Sequence, residues 1–137
     1  MVNDTTAGRW FRRVVWIGII ANLAVALPTL AAPAQMIAMA SLPTAGTDLW
    51  PRFAALLLVI LSVFYIPAGQ DIDRYRSTAW FAVGSRLAGA LFFLGEPAYR
   101  FFMYFDLVFL VPLAVLLAIA VRGARPAESP AAGVATA

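Results

Sequence analysis

Four long apolar runs divide this chain of 137 residues, and they constrain its fold more than any other feature. They cover residues 14–32, 50–67, 78–95 and 97–121. A helix that crosses a bilayer needs about 20 residues, with a range of about 17–25. Hydrophobic residues make up 63% of the chain, against about 45–50% in soluble domains, so a soluble fold of this size could not bury them. We therefore predict an all-α domain over residues 1–121, a four-helix transmembrane bundle.

The first run has a second interpretation, a cleaved signal peptide. Arg9, Arg12 and Arg13 precede its apolar core, and residues 32–34 have the A-x-A form of a cleavage site. The run is long for a signal core, so we favour an uncleaved first helix. In the long connection that follows, residues 34–40 are expected to form a short helix at the membrane surface.

The positions of the arginines orient the predicted helices. Cytoplasmic segments of membrane proteins carry an excess of basic residues. If the N-terminus is inside, seven arginines flank the inner ends of the spans and two flank the outer ends. The inner set is Arg9, Arg12, Arg13, Arg74, Arg76, Arg122 and Arg125, and the outer set is Arg52 and Arg100. This bias predicts that both termini are cytoplasmic. The tail 122–137 is rich in Ala and Pro and is expected to be disordered.

Missing residue types exclude several kinds of chemistry. The chain has no Cys and no His, so it has no thiolate nucleophile, no Ser–His–Asp triad and no ordinary zinc or di-iron ligand set. All ten basic residues are Arg, which also excludes a Schiff-base lysine. The arginines are scattered rather than clustered on one surface, which argues against nucleic-acid binding. We therefore predict no metal, no cofactor and no catalytic residue.

Arg86 and Asp106 fall inside predicted spans, far from either end. A charge at the bilayer centre costs at least about 2.5–3.5 kcal/mol, so such residues usually pair, face the bundle interior or line a polar path. Arg86 lies ten residues before Glu96, at the centre of the turn, and Asp106 lies ten residues after it. In an antiparallel hairpin both positions are about 15 Å from the turn. The spacing therefore predicts an intramembrane ion pair between Arg86 and Asp106.

Small residues near this pair favour a close approach of the helices. Gly84 with Ala88, and Ser85 with Gly89, form two small-xxx-small pairs, which let helix backbones approach each other in lipid. Polar support for the ion pair is expected from three residues: Asn22, Ser62 and Ser85.

Two interpretations of the ion pair stay open. It is either a structural pair that fixes the register of the helices or a substrate or proton site. Because an Arg partner keeps its carboxylate ionised, and no His or Glu lies near it, the structural interpretation is favoured.

The connection between the second and third runs is the densest polar segment. Asp71 and Asp73 are too few for a calcium loop of the EF-hand type. A solvated cytoplasmic turn is therefore expected, with Arg74 and Arg76 contacting anionic lipid head groups. The same four residues are candidates for binding a partner protein.

Four segments carry a resemblance to known proteins: Leu49-Trp50-Pro51-Arg52-Phe53, Phe64-Tyr65-Ile66-Pro67-Ala68, Ser85-Arg86-Leu87-Ala88-Gly89 and Phe105-Asp106-Leu107-Val108-Phe109. Their layout resembles that of small uncharacterised four-helix proteins of bacterial inner membranes. In size and helix count, over about residues 13–121, the chain is also similar to DoxX-like proteins. The resemblance implies a bacterial inner (cytoplasmic) membrane, and it implies a redox partner because some DoxX-like proteins accompany oxidoreductases.

The leading functional hypothesis is a non-catalytic accessory or small subunit of an inner-membrane complex, with a redox complex implied by the resemblance. Its expected partners are the lipid bilayer and other membrane subunits or copies of itself. The alternative is a homo-oligomeric transporter or channel for a small solute, with Arg86 and Asp106 lining the path. A lipid-modifying enzyme that uses Asp106 and Glu96 is disfavoured, because these two residues lie at different depths.

Overall fold

The computed structural model describes residues 1–44 and 46–124, so the expected disordered tail lies outside the described residues from residue 125 onward. The described chain is all helical, with 85% helix and no strand. In chain order it contains a 3-10 turn at Val2–Asp4, α1 at Thr6–Ala31, α2 at Pro33–Met39, α3 at Leu49–Gln70, α4 at Arg76–Leu94, a 3-10 turn at Pro97–Tyr99 and α5 at Arg100–Gly123. The predicted all-α class is confirmed, and α2 lies where residues 34–40 predict a short helix.

Helices α1, α3, α4 and α5 are each long and apolar enough to cross a membrane. Large apolar side chains are exposed along their outer surfaces, for example Ile20, Ile60 and Val108, which are 64%, 56% and 68% exposed. Soluble monomers rarely expose a continuous apolar surface of this kind, whereas lipid tails are as apolar as these side chains. The chain is therefore a multi-pass membrane protein, as the four apolar runs predict.

Two helices extend beyond the apolar runs that predict them by three residues or more. Helix α1 begins at Thr6 rather than at residue 14, because the hydroxyl of Thr5 accepts a hydrogen bond from the Gly8 amide at 2.9 Å and caps the helix. Arg is a good helix former, so the basic first turns continue the helix outside the apolar run. Helix α3 continues past Pro67 to Gln70, and the Asp71 amide donates to the carbonyl of Pro67 at 3.0 Å.

The four long helices form a ring in the order α1, α3, α4, α5, with each helix packed against its two neighbours. Helices α1 and α4 therefore lie diagonally opposite each other. Hydrogen bonds join the start of α1 to the end of α3 and to the connection that leads into α4. We call this end of the bundle the basic end, because it carries six of the described arginines: Arg9, Arg12, Arg13, Arg74, Arg76 and Arg122.

The interior is packed most heavily toward the basic end. The largest apolar side chains that are fully buried are Phe11, Ile72, Leu117 and Val2. Two polar side chains, Asn22 and Ser62, are as deeply buried as these, although they lie in the middle of their helices. A buried polar group requires a hydrogen-bond partner, so the middle of the bundle is where a site can be built.

Candidate functional site

The side chain of Arg86 lies at the centre of the bundle. The buried residues of α4 are Ala79, Ala82, Val83, Arg86 and Ala90. Their spacing of three and four residues places them on one face of the helix, and Arg86 is only 4% exposed. Alanines one turn before and one turn after Arg86 leave room for its guanidinium group. The sequence of α4 therefore directs a charge into the interior and away from lipid.

Two other helices provide oxygen acceptors for this charge. The Nη1 atom of Arg86 donates to Oδ1 of Asp106 in α5 at 2.8 Å, and its Nη2 atom donates to Oδ1 of Asn22 in α1 at 2.7 Å. Because α1 lies diagonally across the ring from α4, the second bond passes through the middle of the bundle. Hydrogen bonds to charged groups are about twice as strong as neutral ones, so Arg86 is a strong link among three helices.

Aromatic rings enclose the guanidinium group. Its central carbon lies 5.0 Å from the ring centre of Phe109, 5.4 Å from that of Phe105 and 5.9 Å from that of Tyr65. These distances permit cation–π attraction, which is stronger where water is excluded. Tyr65 belongs to α3, and its hydroxyl is hydrogen-bonded to the hydroxyl of Ser85 in α4. All four long helices therefore contribute to the Arg86 centre, which we define as Asn22, Tyr65, Ser85, Arg86 and Asp106.

Glycine at position 89 allows Asp106 to reach Arg86. A Cβ atom on Gly89 would overlap Oδ2 of Asp106, closer than Cβ atoms approach their neighbours in proteins. Gly18 in α1 is also close to the centre, since a Cβ atom there would lie 3.5 Å from Nη2 of Arg86. That is an ordinary contact distance, so the geometry requires glycine at position 89 but not at position 18.

The two small-xxx-small pairs of α4 lie on different faces. Ser85 and Gly89 take part in the interior, but Gly84 and Ala88 are exposed, and a Cβ atom on Gly84 would meet no atom within 4 Å. The expectation that Gly84 and Ala88 help α4 approach α5 is therefore wrong. The physical reason is rotation: the two pairs are offset by one residue, about 100° around the helix, so only one pair can face α5.

Ser62 is buried but does not support the ion pair. Its hydroxyl donates to the carbonyl of Leu58, one turn earlier in α3, at 2.7 Å. A serine in an apolar helix often satisfies itself in this way. Two donors of the centre, Nε of Arg86 and Nδ2 of Asn22, are buried and have no partner among the described residues.

A second polar cluster, the N-terminal clasp, lies at the basic end and consists of Val2, Asn3, Asp71, Ile72 and Asp73. The carboxylate of Asp73 accepts the backbone amides of Val2 at 2.9 Å and Asn3 at 3.1 Å. The side chain of Asn3 donates to Asp71 at 2.6 Å and accepts from the amide of Ile72 at 2.9 Å. These bonds attach the segment before α1 to the connection between α3 and α4.

Hydrogen bonding favours the ionised form of both carboxyl groups in the clasp. The backbone amide of Arg74, with help from the Asn3 side chain, lowers the pKa of Asp71 below its ordinary value. The backbone amides of Asn3 and Val2 lower the pKa of Asp73 in the same way. Both aspartates therefore have internal partners, so the connection is more than a solvated turn. Arg76 lies 3.9 Å from Asp73, and Arg74 is placed over the ring of Tyr75 at 5.4 Å.

Sequence reasoning identified the ion pair and Asn22 but missed Tyr65 and the clasp. The signal for Tyr65 was present, since Tyr65 and Ser85 are each ten residues from Tyr75, at the connection between α3 and α4. The same symmetry argument that links Arg86 to Asp106 therefore links Tyr65 to Ser85. The clasp has no comparable signal, because Asn3 and Asp71 are separated by 68 positions and carry no spacing rule.

Comparisons of the chain with protein-family models, with curated proteins and with solved structures give no match.

Proposed function

We propose that the chain is a non-catalytic accessory subunit of a membrane complex and that it binds a transmembrane helix of its partner on the outer face of α4. One observation carries this proposal: the inner face of α4 is packed against other helices of the bundle, and its outer face is exposed at Gly84. The inner face is fixed by Arg86, and the outer face has a gap at Gly84 that no part of the described chain fills.

The inner face has the properties of a structural link. The charge of Arg86 is matched by Asp106, its second amino group is bonded to Asn22, and aromatic rings enclose it. A guanidinium group bound in this way has little freedom to rotate. Catalysis or proton transfer would need a group that changes its state, so the arrangement favours a scaffold.

The outer face has the properties of a helix-binding surface. Gly84 and Ala88 are exposed one turn apart near the middle of α4, with the large side chains of Phe81 and Leu91 beyond them. Small residues allow a second helix backbone to come close in lipid, where packing rather than the hydrophobic effect drives association. Phe81 also lines an apolar groove of about 390 Å³ between α3 and α4, together with Leu57, Ile60, Leu61 and Phe64. Phe81, one turn before Gly84, therefore belongs both to the outer face of α4 and to the lining of the groove.

The proposal includes an orientation, with both termini in the cytoplasm. The basic end carries six of the described arginines and the opposite end carries Arg52 and Arg100. This asymmetry is the usual mark of the cytoplasmic side. The proposal of a bacterial inner membrane rests on the resemblance to small four-helix proteins of such membranes, and the proposal of a redox partner rests on the resemblance to DoxX-like proteins.

The test is co-purification from native membranes in a mild detergent, with the bound chains identified by mass spectrometry. We expect Gly84→Leu to remove the partner, because the new side chain fills the gap. The matched control is Ala24→Leu, which also adds bulk to an exposed position in the middle of a helix, α1. Replacing a helical glycine by leucine favours the helix, so loss of the partner will not reflect unfolding. A partner that stays bound to Gly84→Leu, or a wild-type chain that purifies alone as a monomer, contradicts the proposal.

A homo-oligomeric transporter is the second candidate, and it is favoured by the buried donors of Arg86 and Asn22 that have no partner among the described residues. In this case the same purification yields only copies of the chain. Asp106→Asn would then abolish solute flux in vesicles while leaving the amount of protein in the membrane unchanged. Unchanged flux in that variant rules out a path through the Arg86 centre.

A further inference from the structure

We propose that the first turns of α1 form a binding site for the head group of an anionic phospholipid. The site consists of Arg9, Arg12 and Arg13, with Trp10 and Trp16 beside them. It is separate from the helix-binding face of α4 and does not depend on it.

The two ends of the bundle differ in charge. Among the described residues, the basic end has six arginines against Asp4, Asp71 and Asp73, whereas the opposite end has Arg52 and Arg100 against Asp48 and Glu96. Two of the three aspartates at the basic end, Asp71 and Asp73, accept hydrogen bonds within the N-terminal clasp. The excess of positive charge is therefore concentrated on α1.

The arginines of α1 have no carboxylate partner among the described residues. Arg9 and Arg13 are exposed and lie one turn apart on the same face. Arg9 bonds only to the hydroxyl of Thr6 at 3.3 Å, and the guanidinium of Arg13 lies 4.8 Å from the ring of Trp10. In contrast, Arg52, Arg76 and Arg86 each have a carboxylate within 4.0 Å.

Arg12 is held in position by a hydrogen bond to α3. Its Nη1 atom donates to the carbonyl of Gln70 at 3.0 Å, while its Nε atom is buried and has no partner among the described residues. Four residues later, Nε1 of Trp16 donates to the carbonyl of Gly69 at 3.1 Å. Arg12 and Trp16 thus bond the last carbonyls of α3, and Arg12 lies one turn after Arg9 along α1.

The site is at the right depth for a lipid head group. Trp10 and Trp16 are 51% and 40% exposed, and exposed tryptophans are enriched at the membrane–water interface. Beyond them α1 exposes Ile17 and Ile20, an apolar surface for acyl chains. The fork of an arginine matches two phosphate oxygens. The ligand is therefore a phosphodiester with a net negative charge and acyl chains, since the ammonium group of a zwitterionic lipid would be repelled by three arginines.

The test is native mass spectrometry of the full chain, released from micelles that contain phosphatidylglycerol or phosphatidylcholine at equal mole fraction. We expect the wild-type protein to bind phosphatidylglycerol about tenfold more tightly, given the usual attraction between basic residues and anionic lipid. The double substitution Arg9→Gln with Arg13→Gln should remove most of this preference. Arg9→Lys with Arg13→Lys keeps the charge and should keep most of the preference.

The matched control is Arg52→Gln with Arg100→Gln, which removes the same charge from the opposite end and should leave the preference within about twofold of wild type. Equal loss in the control overturns the proposal, because attraction would then depend on net charge alone. An unchanged preference in Arg9→Gln with Arg13→Gln overturns it as well. Release of the lipid by inorganic phosphate, at an ionic strength matched with chloride, would show a site for the free anion instead and would also overturn it.

Discussion

Polar groups fasten this bundle at two levels, the Arg86 centre in the middle and the N-terminal clasp at the basic end. Both use a carboxylate that accepts N–H donors from another segment of the chain. They differ in their surroundings. The side chains of Arg86 and Asp106 are 5% and 14% exposed at the depth of the lipid tails, whereas the side chain of Asp73 is 21% exposed at an end that faces water and lipid head groups.

This difference in surroundings determines what the loss of one partner costs. At the clasp, water can replace a missing donor or acceptor, so each bond contributes only about 0.5–1.5 kcal/mol net. At the centre the two side chains are largely buried, and a charge without its partner is left in a medium that disfavours it. The centre should therefore behave as a single unit, and the clasp should weaken in small steps.

The largest expected effect comes from removing one charge of the centre. Arg86→Leu leaves Asp106 without its donor and Asn22 without its partner, and we expect a loss of about 3–5 kcal/mol in the free energy of unfolding. The double substitution Arg86→Leu with Asp106→Leu should recover most of this loss, since no charge is then stranded. The free energy of unfolding can be measured by titration with SDS in mixed micelles. A single variant as stable as the wild type would contradict the view that the centre is one unit.

A smaller effect is expected from a single methyl group beside the centre. The Cβ atom of Gly89→Ala would overlap Oδ2 of Asp106, so the carboxylate must move away from Arg86, at a cost of about 1–3 kcal/mol. The matched control is Gly84→Ala, five residues earlier in α4, where the same methyl group would meet no atom within 4 Å. That control should be neutral or stabilising by up to about 1 kcal/mol, because alanine favours the helix. If the two variants were equally stable, the methyl group added at position 89 would not displace the Asp106 carboxylate at any cost in stability.

The sequence predicts the centre better than the clasp, and the reason is geometric. Membrane helices in a hairpin are straight, antiparallel and of similar length, so Arg86 and Asp106 share a depth because both lie ten residues from Glu96. Depth alone leaves rotation undetermined, and rotation decides which residues face inward. For this reason the sequence does not show that Gly84 and Ala88 face away from the ion pair, or that Ser62 bonds within its own helix.

The helix boundaries show a similar limit. Hydropathy marks the part of a helix that lies in lipid, so it locates four spans but misses the first turns of α1, where Arg9 and Arg13 follow the Thr5 cap. Two residues of the clasp, Val2 and Asn3, lie just before that overlooked part. The clasp joins Asn3 to Asp71 by a contact between segments far apart in sequence, and such contacts follow from tertiary packing rather than from any local pattern.

A third prediction tests whether the clasp acts locally. Asp73→Ala removes the acceptor for the amides of both Val2 and Asn3, and we expect a loss of about 1 kcal/mol in stability. Hydrogen exchange of amides 2–8 should become faster, while exchange in the middle of α4 stays at the wild-type rate. An equal increase in exchange around Arg86 would show that the two levels are coupled, and the contrast between them would fail.

The smallest effect is the response of the clasp to acid. Asp71 and Asp73 have pKa values below the ordinary value of 3.8 in the folded chain, so the unfolded chain takes up their protons first. Their stabilisation is therefore fully present above about pH 5, and it declines as the pH falls through 3.8 and then through the lower folded values. The measurement is exchange of amides 2–8 between pH 6 and pH 3, corrected for the intrinsic effect of pH on exchange.

The control for this acid response is Asp73→Asn, which cannot ionise. Its amide oxygen still accepts one of the two backbone donors, so the segment before α1 should be partly protected, with a weaker dependence on pH than in the wild type. A protonated carboxyl group likewise keeps one good acceptor oxygen, and for this reason acid should loosen the clasp less than Asp73→Ala does. If the corrected exchange rate of amides 2–8 were the same at pH 3 and pH 6, ionised carboxylates would not be what holds this segment, and the clasp would depend on the packing of Val2 and Ile72 instead.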